Sequence, residues 1–325
     1  MRDGFREYLV ALSRSATCLG LDEFCRVHRG VVPHERTILR WHRRLGSSFV
    51  VYPSFAVEAL GLAHLFVFVR SPGVSWRSFP YAVEAAWVSS DCRTRVLFLH
   101  AIVPAVYRER IAASLQGLGS CVFVWGSSGW EHLSWCGGSP FPTTWTVPPM
   151  RTTLRDWPLV VPVVFETWGS RASLQTLWDS IRRRLGDRVR DYVGRRCYQT
   201  NGKSHVRRAL RVLSESGAFL QYVVRYGPLL NETLRLLVLA SWDESRLRSF
   251  AQGIQSEAVT ITTYPTASGW LLVLAGRPGL LERVMDAGPD CVYFLRDEES
   301  VRFRYEELFD PSSSSWKYPD DAGVR

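Results

Sequence analysis

Two stretches of this chain run through one order of strands and helices, and that order constrains the fold more than any other feature. In the first, HLFVFVR (64–70) is an apolar run of strand length, and Trp76 to Glu84 has the spacing of a short helix. Ala85 to Ser90 and Arg95 to Ile102 read as strands about a turn. Pro104 opens a helix with Val106, Ile111 and Leu115 on its inner face, and Cys121 to Trp125 closes as a strand. In the second stretch, strands at Leu234 to Ala240, Ala258 to Tyr264, Trp270 to Ala275 and Cys291 to Leu295 alternate with helices at Glu244 to Gln255 and Gly279 to Ala287. The order βαββαβ specifies an antiparallel sheet with helices on one face, the ferredoxin-like arrangement. Few letters are shared between RVLFLHAIVP and WLLVLAGRP or between CVFVW and CVYFL, so the repeat rests on the order of elements.

A set of helices precedes each stretch. Phe5, Tyr8, Leu9 and Leu12 have helical spacing, Leu21 to His28 forms a second helix, and VPHERTILRWHRRL (32–45) a third, with Pro33 in its first turn and Gly46 just beyond its end. At about 100° per residue, Ile38, His42 and Leu45 fall on one face of that third helix, where His42 is expected to pack. Arg36, Arg40, Arg43 and Arg44 spread over the other face, with Thr37 and Trp41 between them. Helix, helix, turn, helix is the plan of a helix-turn-helix unit, and SSFVVYPSFAVEALG, an apolar strand broken at Pro53, follows as a wing. Val160 to Trp168, Leu174 to Leu185, HVRRALRVL and the strand Phe219 to Arg225 repeat this plan. The fold class is therefore α+β, with tandem winged helix-turn-helix and ferredoxin-like domains. The expected boundaries are a head at 1–61, a ferredoxin-like domain at 62–132, a linker at 133–157, a second head at 158–232 and a second ferredoxin-like domain at 233–304. A tail at 305–325, PSSSSWKYPDDAGVR at its core, is expected to lack fixed structure.

Charge sharpens the reading. The chain carries a formal +9, almost entirely from arginine, since Lys203 and Lys317 are its only lysines. Between Arg171 and Arg211, eleven arginines and Lys203 face only Asp179, Asp187 and Asp191. Clustered arginines repel one another and require a counter-charge, which nucleic-acid phosphate supplies. The DNA-contacting candidates are Arg36, Thr37, Arg40, Trp41, Arg43 and Arg44 in the first head, and Arg182, Arg183, Arg184, Arg188, Arg195, Arg196, Lys203, Arg207 and Arg208 in the second. The bland alternative is a solvated arginine face. Seven cysteines at wide spacing, without a CxxC pair, read as reduced thiols, and neither a metal site nor a cofactor is expected. No apolar run reaches the roughly 18 residues of a membrane span and no secretory leader is evident, so a cytoplasmic protein is expected.

RTILRWHRRLG followed by VVYPSFAVEALGLAHLFVFV resembles the recognition helix, wing and first sheet strand of the Lrp/AsnC family of regulators, most closely its archaeal members. That resemblance implies a DNA-binding transcriptional regulator with double-stranded DNA as partner and a small-molecule effector as a further candidate. Its sheets would pair as a pseudo-dimer within the chain, with a homodimer as the other assembly. The family's ligand loop reads SSDCRT here, keeping Asp91 without a glycine, and YPTASG in the second copy, so no effector residue is assigned. Enzymatic motifs are absent: there is no phosphate loop, HExxH or GxSxG, and the run Ser127, Ser128, Gly129 lacks a paired base. A non-enzyme without catalytic residues is the expectation. Two alternatives stay open, a non-DNA-binding interaction protein and a tetrapyrrole (sirohaem) decarboxylase sharing the AsnC-like architecture. The histidine and asparagine motif of those enzymes is missing beside WVSSDC, which leaves His100 on the following strand as the nearby candidate.

Overall fold

The computed structural model describes residues 3–15, 17–46, 49–70, 79–89, 95–116, 120–133, 157–167, 173–193, 202–226, 233–300 and 302–318. The first head contains α1 (Asp3–Ser13), α2 (Leu21–Val27) and α3 (Glu35–Leu45). His34 caps α3 by accepting from the Arg36 amide, and Gly46 ends it at φ 54°, a conformation that favours glycine. Ile38 is the buried anchor of this helix, and His42 packs inward, its ring 4.9 Å from Phe49 and its Nε2 3.2 Å from the Tyr8 hydroxyl. The second head contains α5 (Val160–Thr167), α6 (Leu174–Leu185), the short α7 (Val189–Val193) and α8 (Gly202–Glu215). Ser173 caps α6 through a 3.1 Å bond from the Thr176 amide.

The strands read as two wings pair with each other. β1 (Phe49–Phe55) and β7 (Phe219–Tyr226) form an antiparallel ribbon in which Pro53 faces Tyr222. β1 is continuous through Pro53, because a two-stranded ribbon leaves one edge where a missing N–H breaks no ladder bond. Each head thus contributes one strand to a shared lid.

The two ferredoxin-like halves also join. The first supplies β2 (Leu62–Arg70), β3 (Ala82–Ser89), β4 (Val96–Pro104), α4 (Arg108–Gln116) and β5 (Ser120–Gly126), in the spatial order β3-β4-β2-β5. The second supplies β8 (Leu234–Ala240), α9 (Glu244–Gly253), β9 (Ala258–Thr266), β10 (Gly269–Gly276), α10 (Leu280–Asp286) and β11 (Cys291–Ser300), in the equivalent order β9-β10-β8-β11. β11 pairs with β3, and β5 meets β9 at Gly126 and Thr266, closing the eight strands into a ring. β6 (Trp130–Leu133) extends that second seam along β9. Phe66, Phe68, Phe98, Val88, Leu237 and Leu271 pack inside the ring. The opposite faces carry separate cores, one under α9 and α10 and one continuous with the heads. Burial on both faces explains why β2 and β4 read as unbroken apolar runs instead of alternating ones.

Three local expectations differ from the structure. The expected helix from Trp76 to Glu84 lies outside the described residues up to position 78, and its last three residues belong to β3. Val106 is 71% exposed, whereas Ile111 and Leu115 are buried. Most of the segment read as a tail is folded: α11 (Tyr305–Leu308), β12 (Phe309–Asp310) and β13 (Ser315–Trp316) bury Tyr305, Leu308, Phe309, Trp316 and Tyr318. Pro311 and Ser312 to Ser314 form a turn between aromatic anchors, and Trp316 donates to the Leu60 carbonyl at 2.7 Å. The linker expected at 133–157 falls outside the described residues except at its ends. Among the described residues, no helix is long and apolar enough to cross a membrane.

Candidate functional site

A cavity of about 490 Å³ lies between the β1–β7 ribbon, helices α5 and α6, and the end of the ring at which β2 and β8 begin. That size is within the ~300–1,000 Å³ of small-molecule sites. The ribbon contributes Tyr52, Phe55, Gln221 and Val223, and the second head contributes Phe165, Glu166 and Ser180.

The floor holds the feature that departs most from an apolar core. His64 and His100 are 3% and 4% exposed and share a 2.7 Å contact between His64 Nδ1 and His100 Nε2. Strand register creates this meeting. β2 pairs with β4 so that Phe66 faces His100, which sets His64 one inward-facing position further along β2. Burial and then the neighbouring His100 hold the His64 imidazole well below the ordinary histidine range, so it is neutral at pH 7. The Tyr264 ring lies 5.5 Å from His64 and 5.6 Å from His100, and Phe66 stacks 4.8 Å from His100. On one side, Glu84 Oε2 stands 3.7 Å from His100 Nδ1. On the other, Ser128 Oγ is 3.3 Å from His64 Nε2 and 2.6 Å from Glu58 Oε2, and it accepts from the Val57 amide at 2.9 Å. Burial pushes the Glu58 carboxyl up against the opposing effects of Ser128 and Arg108.

The far wall is ionic. Glu166 is 8% exposed and accepts from Ser180 Oγ at 2.6 Å, Arg184 Nη1 at 3.0 Å, the Tyr305 hydroxyl at 3.1 Å and Arg302. Arg302 and Arg235, the latter paired with Glu298, both line the cavity. Gln221 is 6% exposed and its amide nitrogen has no hydrogen-bond partner among the described residues, a donor held at the cavity wall. Among the described residues, no group of three or more His, Cys, Asp or Glu side chains is arranged to hold a metal ion.

None of the described DNA-contact candidates lines this cavity. Arg36, Arg40, Arg43 and Arg44 are exposed on α3, but Trp41 packs edge-on against Phe5 at 5.2 Å and Thr37 is half-buried. Arg182, Arg183, Arg188, Lys203, Arg207 and Arg208 are exposed, and Arg208 lies 3.8 Å from the Trp157 ring. Arg184 points inward, to Glu166, Glu306 and the Phe303 carbonyl. Arg188 donates to the Glu306 carbonyl at 2.6 Å, and Arg195 and Arg196 lie outside the described residues. Part of the counter-charge that the basic run requires is therefore supplied within the chain, by carboxylates distant in sequence. Of the site groups, the sequence singled out His100 and the Ser128 run. The expectation that Ser128 has no paired base is corrected by His64 and Glu58, which lie 64 and 70 positions away.

No protein-family model matches the chain, and no curated protein matches it in sequence. Its fold is similar to two solved structures of the siroheme decarboxylase NirDL. The complex with an iron-uroporphyrin III analogue aligns at a TM-score of 0.50 and 12% identity over 93% of this chain and 95% of that one. The other structure aligns at 0.50 and 13% over 92% and 95%. A likeness running through both heads and both ferredoxin-like halves, to an enzyme that takes a tetrapyrrole, overturns the expectations of an Lrp/AsnC-type transcriptional regulator, of a double-stranded DNA partner and of a non-enzyme. The structural reason is the placement of the buried polar groups: they converge on a cavity, while the arginine faces that suggested DNA are helix surfaces from which Arg184 turns inward to carboxylates. At this identity the likeness establishes the α+β AsnC-like fold of the chain.

Proposed function

We propose that the chain is a tetrapyrrole decarboxylase, which binds an iron-bearing polycarboxylate tetrapyrrole in the cavity and releases side-chain carboxyl groups as CO2. The observation that carries this reading is the buried His64–His100 pair on the floor of a cavity whose opposite walls hold Arg235, Arg302 and the free Gln221 amide. The chain-long likeness to siroheme decarboxylase supports it.

The chemistry asks three things of the protein. Carboxylates that are not reacting must be held, and guanidinium groups do this with paired N–H donors while Gln221 adds a neutral one. The reacting carboxylate must leave water, and Phe55, Val83, Val164 and Phe165 provide apolar wall beside the polar groups. When the carbon–carbon bond breaks, the electron pair left on the exocyclic carbon is spread into the macrocycle and then taken by a proton. A buried imidazole N–H is a suitable donor, and His100 faces the cavity.

The test is a titration of the purified protein with iron-uroporphyrin III, followed by mass spectrometry of the tetrapyrrole under anaerobic reducing conditions. A saturating shift of the Soret band at a one-to-one ratio and stepwise loss of CO2 are expected. Arg235→Ala and Arg302→Ala each weaken binding about 10-fold or more, as loss of a charged hydrogen bond does. A flat titration refutes the assignment.

A further inference from the structure

Resting on the decarboxylase reading, we infer that Glu58, Ser128 and His64 form a proton relay that recharges His100 from outside the cavity after each decarboxylation. Decarboxylation of a carboxylate consumes one proton per CO2 released, so a site that a bound macrocycle shuts off from water needs a route of resupply. Glu58 sits on the single turn Val57–Leu60, is only partly buried, and is not part of the cavity wall, whereas Ser128, His64, His100 and Glu84 are. A continuous line of contacts therefore crosses the wall: Glu58 Oε2 to Ser128 Oγ at 2.6 Å, Ser128 Oγ to His64 Nε2 at 3.3 Å, and His64 Nδ1 to His100 Nε2 at 2.7 Å.

The donor inventory of these groups allows two fully satisfied states that differ by one proton. Ser128 Oγ has one hydrogen and two lone pairs, and the Val57 amide occupies one lone pair. If Glu58 is protonated, it donates to Ser128, Ser128 donates to His64 Nε2, His64 Nδ1–H donates to His100 Nε2, and His100 carries its proton on Nδ1. If Glu58 is ionised, every bond reverses: Ser128 donates to Glu58, His64 Nε2–H donates to Ser128, His100 Nε2–H donates to His64 Nδ1, and His100 Nδ1 is bare. Passage from the first state to the second breaks the His100 Nδ1–H bond, forms the C–H bond at the exocyclic carbon, and leaves one negative charge on Glu58; solvent reprotonates Glu58, and the first state is restored once Ser128 turns its hydroxyl and each imidazole returns to its Nδ1–H tautomer. Neither imidazole becomes cationic, which suits a pair 3% and 4% exposed. The same inventory leaves Ser128 Oγ no free lone pair for attack on a substrate, so it is a carrier and not a nucleophile.

Among the described residues, three charged or titratable groups are seen to face the line. Arg108 acts on Glu58, Tyr264 lies against both imidazoles, and Glu84 Oε2 stands 3.7 Å from His100 Nδ1. Burial favours the protonated form of Glu58 and the neutral form of His64, the charge states that the loaded relay requires.

Two measurements test the relay. In multiple-turnover decarboxylation, Glu58→Gln, which keeps the shape of the side chain but cannot pass a proton, lowers the rate about 100-fold while tetrapyrrole affinity stays within about twofold of wild type. Ser128→Ala behaves alike, and Ser128→Thr restores the rate. The wild-type rate falls as pH rises through the Glu58 pKa, and this limb is missing in Glu58→Gln. A wild-type rate in Glu58→Gln overturns the relay. Independently of substrate, 15N spectra of histidine-labelled protein report the tautomers. His64 changes from Nδ1–H to Nε2–H as pH rises, without becoming cationic, and Glu58→Gln abolishes the change. If the wild type neither binds nor decarboxylates a tetrapyrrole, the functional reading fails and the spectra still decide the relay. A His64 tautomer indifferent to pH and to Glu58→Gln refutes it.

Discussion

Glu166 offers the sharpest test of how the cavity wall is held. Its carboxylate lies among Ser180, Arg184, Arg302 and Tyr305, on a helix whose every residue is buried. Glu166→Gln keeps the shape but replaces an acceptor oxygen with an NH2 that confronts donors. The Arg302 pair counts for little, because that side chain is 57% exposed and solvent screens it. The Arg184 bond counts for more, since the Arg184 side chain is 9% exposed, although its bonds to Glu306 at 2.6 Å and the Phe303 carbonyl at 2.5 Å survive. One charged buried hydrogen bond at about 1.5–3 kcal/mol, plus part of the cost of leaving the buried Tyr305 hydroxyl without its acceptor, gives a loss of about 2–4 kcal/mol. The assay is urea unfolding at pH 7, read as a lower midpoint at unchanged m-value. The pH dependence supplies a second reading. Burial alone raises the Glu166 pKa, but hydrogen bonds from Ser180, Arg302 and Arg184 outweigh it and hold the carboxyl below its ordinary range. A depressed folded-state pKa contributes stability that is complete above the unfolded value of 4.5 and is lost as pH falls through the folded value. The gap between wild type and variant should therefore narrow below pH 4.5. A difference under about 1 kcal/mol at pH 7, or one that is constant down to pH 3, refutes the account.

Two glycine substitutions probe other parts of the frame. Gly269 follows the β9–β10 turn at φ 141°, and a Cβ there would lie 2.3 Å from the Ala240 carbonyl oxygen of β8. Gly269→Ala should cost about 3 kcal/mol or more, from backbone strain and overpacking together, visible as a reduced thermal midpoint. Gly129 sits beneath the Tyr264 ring, where a Cβ would meet Cε1 at 2.4 Å. Gly129→Ala should displace Tyr264 from the two histidines and weaken tetrapyrrole binding at least 10-fold, with a stability loss of only about 1–3 kcal/mol; unaltered affinity would show that Tyr264 does not shape the site.

The sequence by itself determined many of the elements and their order, though not the helix expected at 76–84 or the folded segment 305–316, because periods of 2 and 3.6 residues, caps and turn residues are local properties. The strands of the second ferredoxin-like half, for example, lie within a few residues of where alternation and turns placed them. His100 entered only through the decarboxylase alternative, as the histidine nearest to the place beside WVSSDC where the motif of those enzymes is missing. What only the tertiary structure decided was which distant groups meet. Glu58, His64, Glu84, His100 and Ser128 come together through strand register and the closing of the ring, neither of which has a local signature. The wings pair with each other because each apolar strand lacked a partner within its own head. The charge argument is weakened for a related reason: a count from Arg171 to Arg211 includes Arg184 but not Glu166 and Glu306, which folding brings against it. Electrostatics is settled by distance in space, and sequence spacing measures only distance along the backbone.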